Sequence, residues 1–290
     1  MNMTRREFVA FSTPSMILMM VLMIIPLVVT IVLSFCTYNM GETPSFVGLS
    51  NYYNLIVNSP RMWSSIGFSL AITAINVVVR VVVGIALALM LYNVSSKFIR
   101  KTIIGGALIP FSITPVVSTM MFSLLFKDTF GLLPYLLSQV GINISWFSQP
   151  LPAQALIVIH SLWGGIPFTV ITLYSGLLAM PLDPLKAAEA EGASLWQKIR
   201  YVIVPYLSPL LVFNVMSAVM AVFRTYDSVA VMTKGGPGSS TETIQFYNMQ
   251  VAFLQQNIGQ GSAMAIMSIL WIFLLMAPLL YMMYREQLEK

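Results

Sequence analysis

Residues 8–41 read FVAFSTPSMILMMVLMIIPLVVTIVLSFCTYNMG, with no charged side chain anywhere in the run. A helix needs about 20 apolar residues to cross a hydrocarbon core roughly 30 Å thick, and this run exceeds that length. Arg5 and Arg6 precede it, the arrangement of a secretory leader. An h-region is much shorter, however, and no A-x-A cleavage site closes the run. Leu33-Ser34-Phe35-Cys36 has the outline of a lipoprotein site, but Phe35 is bulky where a small residue is needed. The segment is therefore expected to be a retained span.

Outward from it the pattern recurs. Residues 102–126 and 201–223 are also free of charge. Six spans are expected, near Pro14–Cys36, Ile66–Tyr92, Ile103–Phe126, Ala153–Met180, Tyr206–Met232 and Ser262–Tyr284. The whole chain of 290 residues is 58% hydrophobic and 9% charged. A soluble domain carries about a quarter charged residues, so that class is excluded, as is disorder. In lipid every backbone polar group must be satisfied internally, which leaves an all-α integral membrane protein. Residues 1–290 are expected to form one membrane domain, with a core of about 66–284 and an additional N-terminal span of about 14–36.

The cations orient it. With the N-terminus inside, Arg5, Arg6, Lys97, Arg100, Lys101, Lys186, Lys198, Arg200, Arg285 and Lys290 are cytoplasmic. The external loops then hold only Arg61, Lys127 and Lys234, while Arg80 and Arg224 fall within spans. This bias predicts that both termini are cytoplasmic. The net charge of +5 is accounted for by that orientation at the lipid surface and calls for no nucleic acid. The basic segment Lys97 to Lys101 reads the same way, as an orientation signal. The external loop 37–65 is aromatic and turn-rich, loop 127–152 has the prolines and glycines of short interfacial helices, and Lys234-Gly235-Gly236-Pro237-Gly238 is a turn cluster.

The longest inner loop, 181–205, carries the most information. Asp183-Pro184 is a helix-start signal, a carboxylate to cap free amides followed by proline at the first helical position. Leu185 to Glu191 favours helix, and Gly192 offers a stop because it adopts positive φ without steric cost. Ser194 can cap a second short helix through Leu195, Trp196 and Ile199, before Pro205 opens the fifth span. Two short helices at an angle are expected. They form an ordinary connector or, given the loop's length, a docking element.

Chemistry of other kinds finds no residues. Cys36 is the single cysteine and His160 the single histidine, so no disulfide and no thiolate or multi-histidine metal site can be built. Both are expected as packed residues. No G-x-x-x-x-G-K-[ST] occurs, and neither does H-E-x-x-H or G-x-S-x-G, so neither a phosphate cradle nor a catalytic constellation is expected. Polar residues inside spans are costly in lipid and are the default functional candidates. Arg80 sits mid-span, lining an aqueous cavity or held in a structural ion pair. Arg224 and Asp227, three apart, share a helix face and can satisfy each other as a gate or a structural pair. Asn76, Asn214, Trp163, Tyr174 and Tyr226 are the types that sugars prefer, amide forks for hydroxyls and aromatic faces for C–H surfaces. Bridging between helices accounts for the amides equally well.

Lys186-Ala187-Ala188-Glu189-Ala190-Glu191-Gly192-Ala193, followed by Val202-Ile203-Val204-Pro205, resembles the E-A-A loop of binding-protein-dependent ABC importer permeases. The likeness extends through Phe46-Val47-Gly48-Leu49 with Asn51-Tyr52, Trp163 with Pro167-Phe168, Ser194-Leu195-Trp196-Gln197, and Thr233 with Gly235-Gly236-Pro237 and Thr241-Glu242-Thr243. In that order around six spans, these pieces are similar to the maltose-type, carbohydrate-uptake branch. One position departs: the family's first glutamate is Lys186 here, which reverses the charge of any ion pair made there.

The resemblance implies a transport subunit that performs no bond chemistry and binds no cofactor itself. Loop 181–205 would be a cytoplasmic coupling helix between the fourth and fifth spans, meeting the ATPase through Lys186, Ala187, Ala188, Glu191, Gly192, Ala193 and Pro205. Implied partners are a cytoplasmic ABC ATPase dimer holding ATP and Mg, a second homologous permease, and an extracytoplasmic solute-binding protein. The substrate would be a carbohydrate, with glycerol phosphate or a polyol as the alternative within the same machinery. An ion-coupled secondary carrier is the rival from another class. It usually shows inverted repeats and intramembrane carboxylates, whereas Asp227 is the one acid expected in a span.

Overall fold

The computed structural model describes residues 5–288. Lys290, one of the orienting cations, lies outside them. In chain order the elements are α1 (Arg5–Ser34), β1 (Cys36–Thr37), β2 (Ser45–Phe46), α2 (Ser50–Asn58), α3 (Pro60–Asn93), α4 (Lys97–Ser112), α5 (Pro115–Leu125) and α6 (Leu132–Gln139). They continue with α7 (Pro150–Ala179), α8 (Asp183–Ala190), α9 (Leu195–Lys198), α10 (Val204–Phe223), α11 (Ile244–Met249) and α12 (Ile258–Leu288). Wide π turns at Ile199–Ile203, Val229–Thr233 and Gln250–Leu254 follow α9, precede the loop at 234 and follow α11.

Five segments are long and apolar enough to cross a bilayer: Phe8–Ser34, Pro60–Asn93, Pro150–Ala179, Leu195–Phe223 and Ile258–Met282. The expected third span, Ile103–Phe126, is not one straight helix. It is the pair α4 and α5, bent by 99°. The cause is local. Pro115 disfavours helical geometry at the residue before it, and both Ile113 and Thr114 are extended, with ψ of 133° and 142°. Hydropathy measures length in lipid and is blind to such a break. The expected fifth span is also too long at its far end. Helix α10 stops at Phe223, where Arg224 leaves helical geometry at φ −92° and ψ 15°, and the Thr225 carbonyl accepts a hydrogen bond from Thr243 Oγ1 at 2.6 Å.

The chain forms two compact units. One comprises residues up to Met62 together with Tyr247–Trp271. In it Asn51 donates from Nδ2 to the carbonyls of Ser34 and Cys36, both at 2.9 Å, and Tyr52 donates to Ser34 Oγ at 2.8 Å. The Asn51 bonds satisfy carbonyls left open around the end of α1, and Tyr52 holds the Ser34 hydroxyl there, so the Asn51-Tyr52 dipeptide has a structural task. β1 pairs antiparallel with β2 in the same unit. The most apolar window of α1 buries nothing inside the chain, as expected of a helix surrounded by hydrocarbon.

The other unit comprises Trp63–Phe246 and the residues from Ile272 on. Its core falls into two clusters. Ile72, Leu156, Ile157, Val222 and Val229 belong to one, and Ala88, Leu173, Leu177, Ile203 and Leu207 to the other. Along both α3 and α7 the residues between these clusters include polar groups: Asn76 and Arg80 on α3 and His160 on α7 are buried, and Ser161 on α7 is half-buried. A polar layer thus interrupts an otherwise apolar interior.

Candidate functional site

The polar layer opens into a cavity of about 380 Å³. Its walls include Arg80, His160, Ser161, Trp163, Gly165 and Phe168, and also Pro110, Phe111, Ile113 and Pro115 from the break between α4 and α5. Arg80 is 9% exposed. Its Nη2 donates to the Ser161 carbonyl at 2.7 Å and contacts Ser161 Oγ at 3.2 Å, and its Nε is buried without a partner. Ser161 Oγ in turn donates to Asn76 Oδ1 at 2.9 Å, while Asn76 Nδ2 donates to the Ile72 carbonyl. Gly165 makes room for this arrangement, since a Cβ there would overlap Cζ, Nη2 and Nε of Arg80. Among the described residues no carboxylate pairs with Arg80.

His160 is a hub. Its Nε2 pairs with Ser118 Oγ at 3.0 Å and its Nδ1 with Ser228 Oγ at 2.8 Å. One imidazole therefore ties α5, α7 and the segment after α10 together, each ring nitrogen meeting a serine hydroxyl. Phe122 meets the ring edge-on at 5.0 Å. Phe111 and Phe168 stack at 6.0 Å, so two elements give the cavity an aromatic wall.

The residues singled out from sequence distribute as follows. Arg80 and Trp163 line the cavity. Asn76 is fully buried and its amide is used between α3 and α7. Tyr174 packs in the second core cluster, away from the cavity walls. Asn214 is buried with Nδ2 on the Leu210 carbonyl and Oδ1 unpartnered. Tyr226 lies against Phe246 at 6.0 Å. Arg224 and Asp227 do not share one helix face, because α10 ends at Phe223, before both of them, and no ion pair joins them among the described residues. Ser161, Gly165, Ser118 and Ser228 went unread. A lone serine or glycine in a span carries no signal by itself, whereas His160, a single ionisable group amid apolar residues, carried one.

The second candidate region is the loop at 181–205. Gly192 has φ +77° and nothing within 4 Å of an added Cβ. Ala193 N–H reaches back to the Ala188 carbonyl and Gly192 N–H to the Glu189 carbonyl, at 2.9 and 3.0 Å. That pattern is the paired closure that ends a helix on a left-handed residue. Ser194 then opens α9 with a reciprocal cap: its Oγ accepts from Gln197 N–H, and its own N–H donates to Gln197 Oε1 at 2.7 Å. Lys198 Nζ bridges to Glu189 Oε1 at 3.0 Å. Asp183 is not the cap of α8; Leu182 holds that position, and Asp183 lies inside the first turn. There its carboxylate still faces the positive end of the helix.

The corner exposes what a solvated connector would hide: Leu182, Leu195, Trp196 and Tyr201 are 52%, 69%, 67% and 70% exposed. Lys186, Ala187, Glu191, Gly192 and Pro205 are also exposed, and Ala188 and Ala193 partly so. Between α8, α9 and the end of α3 lies a groove of about 520 Å³, bordered by Leu89, Leu185, Leu195 and Ile203.

Residues 80–285 match the family model described as binding-protein-dependent transport system inner membrane component. The trehalose transport system permease SugA of Mycobacterium tuberculosis is 30% identical over 267 residues, covering 91% of this chain and 84% of that protein. The trehalose/maltose transport system permease MalF of Thermococcus litoralis is 29% identical over 228 residues, covering 77% and 75%. The crystal structure of a bacterial ABC transporter involved in import of the acidic polysaccharide alginate superimposes with a TM-score of 0.82 over 97% of this chain and 96% of that one. At 17% identity it shows a shared fold. The chain is therefore a multi-pass membrane protein that belongs to the family of binding-protein-dependent transport system inner membrane components.

Proposed function

We propose that this chain is a transmembrane subunit of an ATP-driven importer that passes a carbohydrate from an extracytoplasmic binding protein across the membrane. The α4–α5 pair counts as one broken span, giving six, with both termini cytoplasmic and the loop at 181–205 on the cytoplasmic side. A second, different permease carrying the standard glutamate completes the pathway opposite Lys186. A cytoplasmic ATPase dimer holds ATP and Mg and supplies the work, and this chain makes and breaks no bonds.

The observation that carries this reading is the corner at 183–198. Where the two helices meet they are closed by the backbone bonds around Gly192 and the reciprocal side-chain cap at Ser194, yet they present Leu195 and Trp196 to the outside, an arrangement suited to transmit force to a partner. The cavity supports the transport half. Non-helical backbone at membrane depth is tolerated where it lines a cavity, and discontinuous helices mark substrate sites in transporters. The names of the trehalose and maltose relatives support a carbohydrate substrate.

Solubilising the chain in detergent from its own cells and identifying what co-purifies tests the proposal. An ATPase in the complex, with hydrolysis stimulated by a sugar-loaded binding protein, is the expected result. Uptake by liposomes containing this chain alone would overturn it in favour of an ion-coupled carrier.

A further inference from the structure

We infer that the cavity is built for an acidic carbohydrate, one bearing a carboxylate or a phosphate, and that Arg80 is the residue that selects it. The inference rests on the importer reading and adds the charge of the substrate. Arg80 is nine-tenths buried in the middle of α3, where an uncompensated cation is expensive. Its hydrogen bonds go to neutral groups, the carbonyl and hydroxyl of Ser161. Those bonds engage Nη2 only, and Nη1 donates to no partner among the described residues. Neither Asn76 nor His160, which share the layer with it, supplies negative charge. A guanidinium required only to join α3 to α7 would be replaced at lower cost by an amide, which makes the same bonds to Ser161 without a charge to desolvate.

The rest of the cavity fits a sugar that carries such a group. Its volume of about 380 Å³ lies in the range of small-ligand pockets. Phe111, Trp163 and Phe168 line it, aromatic side chains of the kind that pack on the C–H surfaces of a pyranose. Gly165, lacking a Cβ, lets the guanidinium lie close against α7, and Ser161 anchors one of its edges. A carboxylate or phosphate arriving in the cavity would meet a cation already fixed in place, and charge-assisted hydrogen bonds of this kind are the strong ones.

The test uses the assembled importer in proteoliposomes, with its binding protein and ATPase, and compares ATP-driven uptake of digalacturonate, glucose 6-phosphate and maltose. The wild-type complex is expected to take up one of the two acidic probes about tenfold faster than maltose. Arg80→Gln is expected to lower that preference about tenfold, and Arg80→Lys to keep most of it, since the charge remains. Which probe is preferred distinguishes carboxylate from phosphate. Maltose transported faster than both acidic probes would overturn the inference and leave the importer reading intact. Equal loss of acidic and neutral uptake in Arg80→Gln would also overturn it, assigning Arg80 to packing. Failure of that variant to assemble with the second permease would do the same, assigning it to pairing between subunits. ATP hydrolysis without uptake of any of the three sugars would count against the carbohydrate importer itself.

Discussion

The corner at 183–198 and the polar layer around Arg80 are both held by hydrogen bonds, but the bonds differ in reach. In the corner they join residues a few positions apart: Ala188 to Ala193, Ser194 to Gln197, Glu189 to Lys198. In the layer they join Arg80 to Ser161, Ser118 to His160 and His160 to Ser228, separations of 81, 42 and 68 positions. Locally closed structure keeps its shape while surrounded by solvent or seated against a partner. Structure closed over long range exists only when the helices are packed, and shifts when they move. The first suits a rigid lever, and the second suits a site whose shape changes between transport states. Substitutions in the layer should therefore damage the fold, and a bulky one at the turn of the corner should spare it while disabling transmission.

The greatest damage is expected from Gly165→Ala. The new methyl overlaps the Arg80 guanidinium, which must leave Ser161 or push α7 away from α3. Overpacking and the lost bonds together are expected to destabilise the solubilised chain by about 3–5 kcal/mol. Thermal unfolding in detergent reads this directly, and a wild-type transition in that variant would mean the guanidinium is not confined by Gly165. Next comes His160→Ala, which leaves the Ser228 hydroxyl and one bond of Ser118 without a partner and removes the ring beneath Phe122. A loss of about 2–3 kcal/mol is expected by the same measurement. A loss as small as that of an exposed loop residue would break the contrast between the two regions.

The same difference in reach decided what could be read in advance. Gly192 and Ser194 were legible because a helix stop and a cap are defined by neighbours in the chain, and both act as expected. Asp183 was misplaced by one position, since Leu182 and Asp183 are equally compatible with the start of α8 until the backbone is seen. Five spans were legible from hydropathy, whereas the bend at Ile113-Thr114 was overlooked although Pro115 announced it. Arg80 stood out by its charge, but its partner did not. Ser161 is one serine among many, and only the packing of α3 on α7 brings the two together. Arg224 and Asp227 failed for the opposite reason: their spacing was right for a helix that ends at Phe223.

Gly192→Trp sharpens the contrast from the other side. Its positive φ makes any side chain there strained by roughly 1–2 kcal/mol, less than either layer substitution. Within the chain an added Cβ meets nothing within 4 Å. Insertion and folding are expected to persist, while binding-protein-stimulated ATP hydrolysis by the assembled complex is abolished. Stimulation at the wild-type level would mean that no partner approaches this corner closely, and the functional half of the comparison would fail.

The smallest effect is expected from Lys198→Met, which removes the ion pair between α9 and α8. Glu189 is 61% exposed at its side chain, so water screens the attraction, and exposed pairs are worth about 0–1 kcal/mol. If the corner is fixed by the closure at Gly192 and the reciprocal cap at Ser194, the methionine variant should unfold within about 0.5 kcal/mol of wild type, and its stability should not respond to added salt. Its ATPase stimulation should also stay near the wild-type level, because the closure at Gly192 and the cap at Ser194 do not involve the Lys198 side chain. A larger, salt-sensitive loss would mean that charge rather than the caps holds the angle. The corner would then be a hinge, and its resemblance to a rigid lever would rest on one exposed contact.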